Sequence, residues 1–138
     1  MLDRNLIKIY EQSFRNNREM SALTDYFKGE TFSYYEVAKE IAKLHLMFKE
    51  AGIEPGDKVA FLARTTYEWS LVDFALFYAG AIMVPVYETS SPKQIQWILS
   101  DSGAIACLVE SEEHVARLDE VRDEVPLVRK TWSMAAGD

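Results

Sequence analysis

The sequence predicts an α/β fold, a mostly parallel sheet flanked by helices, with a small antiparallel β-hairpin near the N-terminus. Three observations carry this reading. Short charge-free apolar runs at 59–63, 81–86 and 104–109 have the composition of strands buried on both faces of a parallel sheet. Helical patterns separate them. The first strand, helix and second strand fit within about 28 residues, the size of a right-handed βαβ unit.

Taken in order, Leu6, Ile7, Ile9, Tyr10 and Phe14 place an apolar stripe on a helix over 3–17. SALTDYF (21–27) reads as a strand, Lys28-Gly29-Glu30 as a turn and Thr31-Phe32 as the returning strand. Ser33 and Glu36 form a capping box, in which each side chain accepts from the other's backbone N–H. Ala38, Ile41, Leu44, His45 and Phe48 line the inner face of that helix, and Gly52 ends it in the left-handed conformation. Thr65 and Glu68 suggest a second capping box. Its helix reaches about Ala79, stops at Gly80, and is apolar nearly all round, as a buried helix is. Ser91-Pro92-Lys93-Gln94 starts a third capped helix, with proline at its favoured first position, and that helix stops before Gly103. An amphipathic helix over 111–124 turns Val115, Leu118 and Val121 inward, and Leu127-Val128 begins a last strand. Residues 133–138 are small and aperiodic and read as a loose tail.

Composition narrows the function. A net charge of −7 argues against nucleic acid, which needs clustered Lys and Arg. Cys107 is the single cysteine, so no intrachain disulfide forms, and its run AIACLVE marks it as a small core residue. The longest uncharged run, 74–87, is too short for a transmembrane segment, which needs roughly 18 residues. With no secretory signal in the first residues, the expected location is cytoplasmic.

Catalytic patterns are sparse. The loop after the first core strand is Arg64-Thr65-Thr66, without the glycines that let a backbone approach a pyrophosphate. His45 and His114 each stand alone, His45 as a half-buried packing residue and His114 as a solvated one. Asp119-Glu120 and Asp123-Glu124 read as a charged surface with Arg117 and Arg122 as local partners. Tyr67, Trp69, Phe74, Phe77 and Tyr78 read as core. Arg64 and the segment Tyr87-Glu88-Thr89-Ser90-Ser91 lie at the C-terminal ends of strands, where ligands of open α/β sheets bind.

Thr31-Phe32-Ser33-Tyr34, the helix after it, and Gly56-Asp57-Lys58-Val59-Ala60 resemble the start of the adenylate-forming (AMP-binding) enzymes. Trp69, Asp73, Ala79-Gly80-Ala81 and Val84-Pro85-Val86-Tyr87-Glu88-Thr89 are similar to the long-chain fatty acid–CoA ligase branch. The likeness spans roughly 5–132. It implies a two-step chemistry: a fatty acid attacks ATP to give an acyl-adenylate, and CoA then displaces AMP. ATP, Mg2+ and CoA serve the full-length family. The family's phosphate loop, nucleotide- and magnesium-binding motif, ribose-binding Asp and mobile Lys lie downstream of the matched region. The resemblance therefore assigns no catalytic, cofactor-binding or metal residue here. It makes 1–132 a partial N-terminal subdomain, inactive alone, with 133–138 as the tail. Its expected partner is the remainder of the ligase chain, or a second copy through an exposed apolar face. The alternative is a stand-alone α/β binding or interaction module acting through Arg64 and the 87–91 edge.

Overall fold

A computed structural model describes residues 5–136. The chain forms two compact units, one of Met1–Gly52 with Thr65–Ala79, the other of Ile53–Arg64 with Gly80–Asp138.

In the first unit, helix α1 (Leu6–Asn16) starts at Asn5, whose side chain accepts the Ile7 N–H. Residues 3 and 4 of the expected helix lie outside the described residues. Tyr10 and Phe14 meet Phe74 edge-on, with ring centroids 5.0 and 6.0 Å apart. Even so, α1 buries no residue fully. Strands β1 (Ser21–Asp25) and β2 (Glu30–Ser33) pair antiparallel as expected. β1 stops two residues short of the predicted end. The Asp25 carboxylate accepts the N–H groups of Phe27 and Lys28, both at 3.1 Å, and so pulls the chain into its turn.

Helix α2 (Tyr34–Glu50) begins with the predicted Ser33–Glu36 capping box and is followed by Gly52 at φ +79°. Its buried stripe is Val37, Ile41 and Phe48; Ala38, Leu44 and His45 are only half-buried. Val37 was absent from the expected face, yet it lies four residues before Ile41 on the same stripe. Helix α3 (Tyr67–Tyr78) packs on α2 and is capped by Thr66, not Thr65. With Thr66 as cap the third helical residue is Trp69, so the predicted Thr65–Glu68 box does not form. Glu68 instead takes the Lys28 ammonium at 3.1 Å. Burial pushes the Glu68 carboxyl up, but hydrogen bonds from its own backbone and from Lys28 outweigh this and leave its pKa lowered. Leu71, Val72, Ala75 and Leu76 are buried. Tyr67 stacks on Phe32 at 4.2 Å, whereas Phe77, expected in the core, is exposed.

The second unit holds a parallel sheet of β3 (Lys58–Leu62), β4 (Ile82–Val86), β5 (Ala106–Val109) and β6 (Lys130–Ser133), in the order β4-β3-β5-β6. The first three fall within two residues of their apolar runs. Between β3 and β4, Gly80 takes φ +71°, and a Cβ there would lie 3.1 Å from the Pro55 Cβ. Glycine is therefore favoured by conformation, and any side chain there would also crowd Pro55.

Helix α4 (Pro92–Ser102) has the predicted Ser91–Gln94 box and ends at Gly103 with φ +70°. Its Ile95 and Leu99 join Ala60, Leu62, Val86, Cys107, Val109 and Leu118 in the unit's core. Cys107 has no exposed surface, and burial pushes its thiol up to about 12.

Helix α5 (Glu112–Asp119) is shorter than the expected 111–124. Val121 N–H bonds to Leu118 O, and Arg122–Glu124 form a separate 3-10 turn. Four carboxylates, Asp119, Glu120, Asp123 and Glu124, fall where a longer helix would have its negative end, which disfavours continuation. The last strand starts at Lys130 rather than at Leu127. Val128 N–H is held in a turn by Val125 O, and Arg129 N–H is the first to reach across, to Ile105 O. Of the residues expected to form a tail, Ser133 ends β6, Met134–Ala136 form a 3-10 turn, and Gly137 and Asp138 lie outside the described residues.

Candidate functional site

The strand order places a topological switch point between β3 and β5. From β3 the chain goes to β4 on one side, and from β5 to β6 on the other, so the two connections diverge. Open α/β sheets bind ligands in the crevice at the C-terminal ends of such strands. Here Arg64, just after β3, and Glu110, just after β5, face each other across it.

Arg64 closes this crevice on Glu110. Its backbone N–H donates to Glu110 Oε2 at 2.8 Å, and Nε and Nη2 donate to Oε1 at 2.9 and 2.7 Å. Burial pushes the Glu110 carboxyl up, but the side-chain and backbone hydrogen bonds from Arg64, with its charge, hold the pKa below the ordinary value. The same bond and charge raise the Arg64 guanidinium further. The Glu110 N–H itself is fixed by Leu62 O at 3.1 Å.

A shallow cleft of about 400 Å³ opens beside this pair, lined by Arg64, Glu88, Thr89, Glu110, Ser111 and His114 among others. The two features that the sequence placed at strand ends, Arg64 and the 87–91 segment, thus share one cleft. His114 is not solvated as expected but buried. Its Nε2 lies 3.2 Å from Glu88 O, and because a carbonyl only accepts, Nε2 carries the proton. In the neutral ring Nδ1 then accepts from the Ser111 hydroxyl at 3.0 Å.

Arg117 also departs from its expected role. Rather than serving the acidic pairs at 119–120 and 123–124, it donates Nη1 to Glu88 O at 2.5 Å and to Ser90 O at 3.3 Å, and Nη2 to Glu113. Arg122 does pair locally, with Asp119 at 2.8 Å. Glu88 O therefore takes two donors, and His114 and Arg117 together fasten the loop after β4. The signal that could have revealed this clamp is the i, i+3 spacing of His114 and Arg117, which sets both on one helix face.

The cleft's cations are committed to carboxylates and to main-chain carbonyls, and the Ser111 hydroxyl that reaches His114 Nδ1 also caps helix α5 by accepting the His114 N–H at 3.3 Å. Among the described residues no cluster of three His, Cys, Asp or Glu groups could hold a metal ion. His45 sits on α2 with its ring 6.4 Å from that of Tyr78, as a packing residue does.

The model of the family "AMP-binding enzyme" matches residues 10–137. The chain belongs to the AMP-binding enzymes. It is 37% identical over 100 residues to the long-chain-fatty-acid–CoA ligase FadD15 of Mycobacterium bovis, and likewise to FadD15 of Mycobacterium tuberculosis. The match covers 72% of this chain and 17% of each ligase. The chain therefore spans about a sixth of the length of these curated relatives, and is homologous to the N-terminal region of such ligases. Among solved structures, the N-terminal domain of FACL13 from Mycobacterium tuberculosis aligns with a TM-score of 0.87 at 19% identity, over 95% of this chain and 34% of that one. This second likeness shows the fold. The resemblance read from Thr31-Phe32-Ser33-Tyr34 and from the Val84-to-Thr89 run is thereby borne out. Among the described residues no helix is long and apolar enough to cross a membrane.

Proposed function

We propose that these 138 residues act as scaffold within a long-chain fatty acid–CoA ligase. In this reading the whole enzyme activates a long-chain carboxylate with ATP and Mg2+ and passes it to CoA in the cytoplasm. This region supplies the first parallel strands and their helices, and residues outside it bind the nucleotide. The observation that carries the reading is the engagement of the cations around the switch-point crevice. Arg64 is spent on Glu110, and Arg117 and His114 on the 87–91 loop, so these three described residues of the crevice are not preorganised for a triphosphate.

The chain incubated with ATP, Mg2+, palmitate and CoA is expected to release no AMP above a blank without protein. Turnover by this chain alone would refute the reading. The rival, a stand-alone anion-binding module, needs Arg64 free to meet its ligand, and the three hydrogen bonds to Glu110 weigh against it.

A further inference from the structure

We propose that the tip of the β1–β2 hairpin is a lipid-contact element, in which Tyr26 and Phe27 insert into an electrically neutral bilayer surface. Phe27 is 97% exposed and Tyr26 86% exposed. Their rings stand edge to face, 5.7 Å apart. Two adjacent aromatic residues left in water are a costly arrangement unless something covers them.

The tip is built to hold them there. Asp25 Oδ1 accepts the Phe27 and Lys28 N–H groups, and the Gly29 N–H bonds to Asp25 O at 2.9 Å. Gly29 supplies the left-handed residue at φ +69°. Behind the turn the Thr24 and Thr31 hydroxyls bond at 3.1 Å across the two strands. The loop is thus ordered before contact, which lowers the entropic cost of insertion.

Area separates the two classes of partner. A specific protein interface buries about 800 Å² on each side. Two aromatic side chains offer roughly 150–250 Å² each. Their exposed neighbours Thr24, Lys28, Glu30 and Thr31 are polar and do not extend the apolar patch. A bilayer needs neither that area nor a matching shape, and it accepts a Tyr–Phe pair at the level where aromatic belts sit. Charge selects the kind of lipid. Lys28, the cation at the tip, is already neutralised by Glu68 at 3.1 Å and Asp25 at 3.7 Å. The chain carries −7 overall, so acidic lipid repels it. Within the scaffold reading, the inference rests on the remainder of the ligase leaving Tyr26 and Phe27 uncovered.

Co-sedimentation of the chain with phosphatidylcholine vesicles tests it. The bound fraction is expected to rise with lipid concentration. Phe27→Ser should lower the partition coefficient about tenfold and Tyr26→Ser several-fold, as loss of apolar area at the contact requires. Leu46→Ser, which removes an exposed apolar group on α2, should change nothing. Adding phosphatidylserine should not strengthen binding. Amide exchange at residues 25–29 should slow when vesicles are present. The proposal is overturned if the parent chain stays in the supernatant, if the folded Tyr26→Ser/Phe27→Ser double variant partitions equally, if Leu46→Ser is as damaging, or if acidic vesicles bind more tightly.

Discussion

Strand β5 and helix α1 are both legible from apolar residues, and they end in opposite conditions. In β5, Ala106, Cys107, Leu108 and Val109 are buried, with at most 4% of any residue exposed. In α1, Leu6 and Ile9 remain 51% and 52% exposed, and no residue is fully buried. The difference lies in what surrounds each element. β5 has a hydrogen-bonded strand on both sides, and its Cys107 and Val109 belong to a cluster of ten buried residues. α1 meets its unit mainly through the rings of Tyr10 and Phe14. An apolar stripe thus announces a helix and its inner face, but not how much of that face its neighbours cover.

This contrast has a measurable form. Leu99→Ala opens a cavity in the core around β5 and should cost about 3 kcal/mol in urea unfolding. A loss below about 1 kcal/mol would show that this core collapses around the gap. At the edge of the same unit, His114→Ala removes one of the two donors to Glu88 O. The expected loss is about 1–2 kcal/mol, with faster amide exchange at Ser90, whose N–H bonds within the 87–91 loop. Unchanged exchange there would mean that Arg117 alone fastens the loop.

A smaller effect follows from Glu110. Its pKa in the folded chain lies below the ordinary value of 4.5, so the unfolded chain takes up the proton first as pH falls. The stabilisation is therefore complete above pH 4.5 and is lost as the pH drops through the lowered value. Glu110→Gln should flatten the acid limb of the stability curve in that window, and an unaltered limb would remove the pair from the account. The smallest effect belongs to α1, where Ile9→Ala should shift stability by under about 0.5 kcal/mol. A loss comparable to that of Leu99→Ala would break the contrast.

What the sequence disclosed was local. The Ser33–Glu36 and Ser91–Gln94 boxes and the glycines at 52, 80 and 103 depend on residues at most a few positions apart, so their patterns are visible in a single chain. The apolar runs of β3, β4 and β5 were visible for the same reason. What it concealed was distant. Glu110 lies 46 residues from Arg64, and the carbonyl that accepts from His114 lies 26 residues before it. No local rule joins such positions, so His114 read as a solvated helix residue and Arg117 as a partner of nearby acids. The capping error at Thr65 was of another kind: two adjacent threonines offer the same hydroxyl, and the backbone selected the second. The family was legible because its motifs are short and ordered along the chain.

The sealed thiol of Cys107 has a practical consequence. With a pKa near 12, only on the order of one molecule in 10⁵ carries a thiolate at neutral pH, and no surface of the group meets solvent. The protein has no other cysteine. A thiol-reactive dye therefore stays silent on the intact chain and responds when the strand that holds Cys107 opens. Its labelling rate becomes a clock for breathing motions of the sheet interior, and rapid labelling under native conditions would show that this interior opens far more often than its packing implies.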